Sequence, residues 1–284
     1  MAPFTTLIDV TALASQLARE DLVLFDCRFE LGNPRWGEAE FAQSHIPGAQ
    51  YLHLDRDLSG PISASSGRHP LPDPQALAQR LGALGVASGH QIVAYDQGNG
   101  AYAARLWWLA RWIGHRQVAV LDGGIAAWRA AGQPLEKAVR EPRPQSLRVA
   151  LDEHCMLDGD AVDALRRQPG WLLIDARGAD RFAGRNETID PVAGHVPGAR
   201  NRPFAGNLGT DGKFLPAAQL RQRWQGVLGS LPASAVISMC GSGVTACQNL
   251  LALEHAGLGG ARLYPGSWSE WIRDPRRPIA TGSY

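Results

Sequence analysis

The sequence predicts an α/β fold built from two tandem copies of one domain, each a mainly parallel sheet with helices on both faces. Three observations predict it. The chain repeats itself: Leu24-Phe25-Asp26-Cys27-Arg28 answers to Leu173-Ile174-Asp175-Ala176-Arg177, Ser44-His45-Ile46-Pro47-Gly48-Ala49 to Gly194-His195-Val196-Pro197-Gly198-Ala199, and Leu121-Asp122-Gly123-Gly124 to Tyr264-Pro265-Gly266-Ser267, in the same order. Short apolar runs alternate with helical stretches, a pattern that favours parallel strands joined by crossover helices. The length, 284 residues, suffices for two domains that each bury a core.

In the first copy, Leu22–Asp26, Gln91–Tyr95 and Val118–Leu121 read as strands, and 74–82 and 101–113 as helices. Trp107, Trp108 and Trp112 lie on the second of these helices at a spacing that suits packing. Residues 136–145 carry Pro142 and Pro144 among charges and read as a linker. The expected organisation is an N-terminal domain over 1–135, a linker over 136–146 and a C-terminal domain over 147–284. In the second copy, 235–239 reads as a buried strand and 245–256 as a helix stopped by Gly257.

Composition narrows the function. Hydrophobic residues make up 45 % and charged residues 19 %, with a net charge of +1, so neither nucleic acid nor an anionic membrane is an expected partner. The four cysteines, Cys27, Cys155, Cys240 and Cys247, form no dense framework. The N-terminal residues lack a basic stretch followed by an apolar run, so no signal peptide or membrane span is expected, and a cytoplasmic protein with reduced thiols is the simplest reading. No Cys/His group has zinc spacing and no phosphate-loop or dinucleotide fingerprint occurs, so no cofactor or metal is called for.

The chemistry concentrates at Cys240. It stands between a strand and a helix, in Cys240-Gly241-Ser242-Gly243-Val244-Thr245. Glycines let the backbone curl and turn several N–H groups inward, and the helix N-terminus adds partial positive charge. Such a cradle stabilises an anion, either a thiolate or a sulfur carried on it. In the first copy the aligned position is Asp96, followed by Gln97-Gly98-Asn99-Gly100, so that copy keeps the glycines and lacks a nucleophile. A phosphatase with a cysteine loop needs an arginine at the sixth residue after the cysteine; here Ala246 stands there.

The Cys240–Thr245 motif resembles the active-site loop of the rhodanese superfamily of sulfurtransferases, and more narrowly that of 3-mercaptopyruvate sulfurtransferases. Thiosulfate-using relatives carry basic residues where this chain has Gly241 and Ser242. The resemblance extends over both halves and implies two rhodanese-like domains, the N-terminal one non-catalytic. It implies a sulfane sulfur moved from 3-mercaptopyruvate or thiosulfate to a thiol or cyanide through a Cys240 persulfide, with a thioredoxin-like reductant as a candidate partner. Within it, Gly241, Gly243, Val244 and Thr245 form the cradle. Ser242 is either a turn residue or a proton relay near the sulfur. Asp55, which follows the His-Ile-Pro-Gly-Ala motif, is either part of that relay or a solvated carboxylate. His69, in Gly67-Arg68-His69-Pro70, lies near the pocket in the family or else at the surface. Arg181 matches the arginine that grips the substrate carboxylate, as a planar guanidinium can.

The family usually supplies a second arginine nine residues after that one; here the position is Asp190, with Arg185 or Arg202 as candidate substitutes. Arg177, like Arg28, and His195, like His45, recur in both copies and read as structural. Cys247 is a core residue or a resolving thiol, the former preferred. The same Cys240 would serve two other readings, a thiosulfate sulfurtransferase or a carrier that delivers persulfide sulfur to a protein partner.

Overall fold

The computed structural model describes residues 2–282. These form two compact units. The first comprises the chain through Gly60, Pro72–Asp152 and Thr210–Phe214; the second comprises Pro61–Leu71, Glu153–Gly209 and the described residues from Leu215 onward.

The first unit holds five parallel strands, β1 (Leu7–Ile8), β2 (Leu22–Asp26), β3 (Gln50–Tyr51), β4 (Gln91–Tyr95) and β5 (Val118–Leu121), in the order β1-β5-β4-β2-β3. Parallel neighbours need crossovers. Helices Trp36–Gln43, Pro74–Ala83 and Ala103–Trp112 supply them. The second unit holds four parallel strands, β6 (Leu172–Asp175), β7 (Arg200–Asn201), β8 (Val236–Met239) and β9 (Arg262–Leu263), in the order β7-β6-β8-β9. Its crossovers are Ala179–Phe182, Ala217–Leu228 and Ala246–His255. The order is that of the first unit without β1, and the registers agree: Asp26 pairs with Tyr95 where Asp175 pairs with Met239.

Every residue of β4 and of β8 is buried. A strand covered on both faces reads as a continuous apolar run, which is why both were legible. The core of the first unit gathers on Trp128, Phe41 and Ile46, and that of the second on Trp268, Trp271 and Phe182. Among the described residues no helix is long and apolar enough to cross a membrane.

Two segments differ from the sequence reading. The stretch read as a linker is tied down within the first unit: Glu136 exchanges backbone hydrogen bonds with His45 at 2.9 Å in each direction, and the Gln145 amide donates to the Gly82 carbonyl at 2.8 Å. Beyond it, the Ala150 and Asp152 amides donate to Ile113 and Trp112. The second segment is Pro61–Leu71, which lies within the first repeat in sequence and packs in the second unit. Gly67 explains part of this, because a Cβ there would lie 2.6 Å from the Gly266 carbonyl oxygen; only a bare backbone fits so close.

Candidate active site

Strand β8 delivers Cys240 at its C-terminal end, and helix Ala246–His255 begins after the loop. The nucleophile candidate is buried, 2 % exposed. Its backbone is held from the segment after β9. The Cys240 N–H donates to Ser267 Oγ at 3.1 Å, and its carbonyl accepts from the Trp268 amide at 3.0 Å. The Gly241 carbonyl accepts from the Ser269 amide at 2.8 Å. Ser267 sits at φ +55°, the only non-glycine with positive φ among the described residues, and its hydroxyl donates to the Tyr264 carbonyl at 2.9 Å. At the aligned place in the first copy, Gly124 has φ +54°.

The two copies reveal what the loop does. In the first, the Asp96 carboxylate takes the place of the thiol and is fully buried. One oxygen accepts from the amides of Gly98 and Gly100 at 2.9 and 3.0 Å, the other from those of Tyr102 and Ala103 at 3.0 and 3.2 Å. Burial pushes this carboxyl up from its ordinary value, and the four amides pull it back in part. The loop is therefore an anion cradle filled by its own side chain. Gly98 and Gly100 align with Ser242 and Val244. The amides of these two donate to no other described group.

Ser242 and His69 meet: Ser242 Oγ lies 2.7 Å from His69 Nδ1, and both residues are buried. His69 comes from Pro61–Leu71, within the same unit. Gly243, at φ +74°, completes the turn, and a Cβ there would meet the Pro265 carbonyl oxygen at 2.3 Å.

Arg181 faces the same loop. Its Nε donates to both Glu187 oxygens at 3.0 Å and its Nη2 to Asp190 Oδ2 at 3.0 Å. Burial works to raise the Glu187 carboxyl, but the Arg181 hydrogen bond and the amides of Asp190 and Ile189 outweigh it and hold the group below its ordinary value. The residue that sequence reasoning missed is Arg68. Its Nη1 donates to Asp190 Oδ1 and its amide to Ser269 Oγ at 2.9 Å. Neither candidate substitute plays that part: Arg185 is exposed and pairs with Asp180 at 2.8 Å, and Arg202 lies over the Trp224 ring at 5.1 Å.

The repeated residues are structural, as their recurrence implies. Arg177 is buried against Asp175 at 2.7 Å, and Arg28 against Asp26 at 2.6 Å. His195 stacks on Phe182 at 3.8 Å and His45 on Phe41 at 4.0 Å. Cys247 is fully buried, its Sγ 3.3 Å from the Gly243 carbonyl, which fits a core thiol. Asp55 belongs to the first unit, exposed in the first turn of the short helix Leu54–Asp57. Among the described residues no group of three or more His, Cys, Asp or Glu side chains is placed to hold a metal.

Comparison with known proteins gives the family. The family described as "Rhodanese-like domain" matches residues 9–131 and again 158–274. A protein of Pseudomonas aeruginosa named "Probable 3-mercaptopyruvate sulfurtransferase" is 50 % identical over 97 % of this chain and 98 % of its own length. A "Putative thiosulfate sulfurtransferase" of Mycobacterium tuberculosis is 37 % identical over 98 % of this chain and 97 % of its own. Among solved structures, the 3-mercaptopyruvate sulfurtransferase from Leishmania major superposes with a TM-score of 0.85 at 33 % identity, covering 98 % of this chain and 78 % of that one.

Proposed function

The chain belongs to the rhodanese family and carries two copies of its domain, and on that premise we propose that its sulfurtransferase activity takes sulfur preferentially from 3-mercaptopyruvate. The observation that carries the reading is the loop: in the first copy the amides of Gly98 and Gly100 bind the Asp96 carboxylate, and the aligned amides of Ser242 and Val244, in the loop that Cys240 opens, bind no described group. The Cys240 thiolate attacks the sulfur of the donor. The carbon–sulfur bond breaks, its electron pair leaves on the pyruvate enolate, and Cys240 carries a persulfide. The loop amides stabilise the sulfur charge. Ser242, with His69 on its oxygen, delivers the proton that turns the enolate into pyruvate. A thiol or cyanide then attacks the outer sulfur and releases the Cys240 thiolate. A thioredoxin-like dithiol is one such acceptor, and a cytoplasmic setting keeps such thiols reduced.

Arg181 orients the substrate carboxylate. The loop Gly241-Ser242-Gly243-Val244-Thr245 has no basic side chain of its own to favour a dianion. The test has two parts. Intact-protein mass spectrometry after donor treatment should find one added sulfur, lost with cyanide and absent from Cys240→Ser. Replacement of Cys27, Cys155 or Cys247 should leave transfer largely intact. Wild-type kcat/KM should be higher for mercaptopyruvate than for thiosulfate; the reverse order sinks the donor assignment.

A further inference from the structure

Two guanidinium groups meet at the loop. Arg68 and Arg181 share the Asp190 carboxylate, one on each oxygen, and Asp190 is itself buried with its amide donating to Glu187 Oε1 at 3.0 Å. These bonds use Nη1 of Arg68, and Nε and Nη2 of Arg181. Among the described residues, one terminal nitrogen of each arginine, Nη2 of Arg68 and Nη1 of Arg181, has no acceptor. Both converge on Gly241. A Cβ built there would lie 3.2 Å from Arg68 Nη2 and 3.6 Å from Arg181 Nη1. The Nε of Arg68 is buried with no hydrogen-bond partner among the described residues. Ser269 ties the two sides together: its Oγ accepts the Arg68 amide and its own amide donates to the Gly241 carbonyl.

We propose that Arg68 is a second donor-binding residue, which with Arg181 clamps the carboxylate of 3-mercaptopyruvate, and that Asp190 is the positioning residue for the pair. The proposal rests on the reading of Arg181 given above. Two adjacent guanidinium groups repel each other unless a carboxylate bridges them, and a bridging carboxylate also fixes which nitrogens remain free. Asp190, standing where the family carries its second arginine, therefore does not remove a cation from the site. It holds one that arrives from Pro61–Leu71. Arginines 68, 177 and 181 are balanced by Asp175, Glu187 and Asp190. The clamp thus offers directed N–H donors without surplus positive charge, which suits a monocarboxylate better than a dianion.

The test is steady-state kinetics of the full chain with both donors, and with pyruvate as an unreactive carboxylate probe. Arg68→Ala should raise KM for mercaptopyruvate and the inhibition constant of pyruvate together, by about ten- to a hundredfold, with kcat changed by less than about threefold. Arg68→Lys, which keeps the charge and loses the fork, should fall between Arg68→Ala and wild type. Arg185→Ala, on an exposed pair, should stay within about twofold of wild type. The clamp is overturned if Arg68→Ala stays within about twofold, if kcat alone falls so that the effect runs through the adjacent His69, or if thiosulfate turnover falls equally. Failure of the underlying reading looks different: wild type then fails to prefer mercaptopyruvate, or Arg181→Ala leaves that donor unaffected. With wild type preferring mercaptopyruvate and Arg181→Ala impaired, an inert Arg68→Ala overturns the clamp alone.

Discussion

Replacing Ser242 by alanine removes one oxygen and leaves the cradle amides in place, so its effect separates two roles by size. If the 2.7 Å contact with His69 Nδ1 only shapes the loop, its loss costs what a buried side-chain hydrogen bond is worth, about 0.5–1.5 kcal/mol, or about two- to twelvefold in rate. If the pair moves a proton, the loss is that of general acid–base help, about a hundred- to ten-thousandfold. The structure favours the larger figure: both residues are buried, Ser242 at 5 % and His69 at 3 % exposure, so bulk water is a poor substitute for the hydroxyl. The assay is pyruvate formation from mercaptopyruvate, with the thermal midpoint of each variant as a check on folding. We expect Ser242→Ala to lower kcat/KM by about a hundredfold or more and His69→Gln to match it. The double variant should be little worse than either single one, because groups that act as a unit are strongly non-additive. A loss below about tenfold, or two losses that multiply, refutes the relay.

Three further outcomes follow from the loop and its supports. Gly243→Ala should lower stability by about 2 kcal/mol or more and abolish transfer, because its Cβ would lie 2.3 Å from the Pro265 oxygen at a φ of +74°; an unchanged unfolding midpoint in urea speaks against this packing. Ser267→Ala should be less stable than Ser267→Gly by about 1 kcal/mol, since both lose the bonds to Cys240 and Tyr264 and only alanine keeps the strain of φ +55°; equal midpoints contradict the strain. Glu187→Gln tests the acid limb. The folded-state carboxyl is held below its ordinary value of 4.5, so its contribution to stability is present above that pH and lost as the pH falls through the lower folded value. The variant should be less stable at neutral pH and converge on wild type below pH 4.5, as followed by urea unfolding across pH.

The sequence was most legible where one residue type carries one signal. Strands β2, β4, β5 and β8 are apolar runs of four or five residues bounded by turns. The internal repeat then fixed how they pair, because Asp26 and Asp175 end equivalent strands. The strands β1, β3, β7 and β9 span two residues each, too short for any periodicity. The stretch read as a linker is irregular, as its prolines and charges imply, and its backbone is nonetheless pinned to the first unit by its own N–H and C=O groups. At the site, Cys240 and its cradle were visible in six consecutive residues, whereas Arg68 was not. One signal existed: an aspartate where an arginine is usual calls for a compensating cation. Nothing in linear spacing shows that the cation lies 122 residues away, or that Arg68 and Ser269 meet across 201.

Comparison of the two copies also bears on why Asp96 and Cys240, at equivalent strand ends, differ in what they can do. The contact from the segment after the fourth common strand is the same in both: the Asp96 carbonyl accepts the Ile125 amide at 3.0 Å, and the Cys240 carbonyl accepts the Trp268 amide at 3.0 Å. The left-handed residue beside each, Gly124 or Ser267, has the same φ within a degree. What differs is the occupant of the cradle. A carboxylate has two oxygens, so Asp96 accepts from four amides at once and fills the first loop. A thiolate has one atom and no second oxygen, so amides equivalent to those of Gly98 and Gly100 remain available at Ser242 and Val244 for the negative charge of a second sulfur. The same backbone that makes the first loop a self-satisfied turn therefore makes the second a place where charge can arrive and leave, and the choice rests on the side chain at the end of one strand.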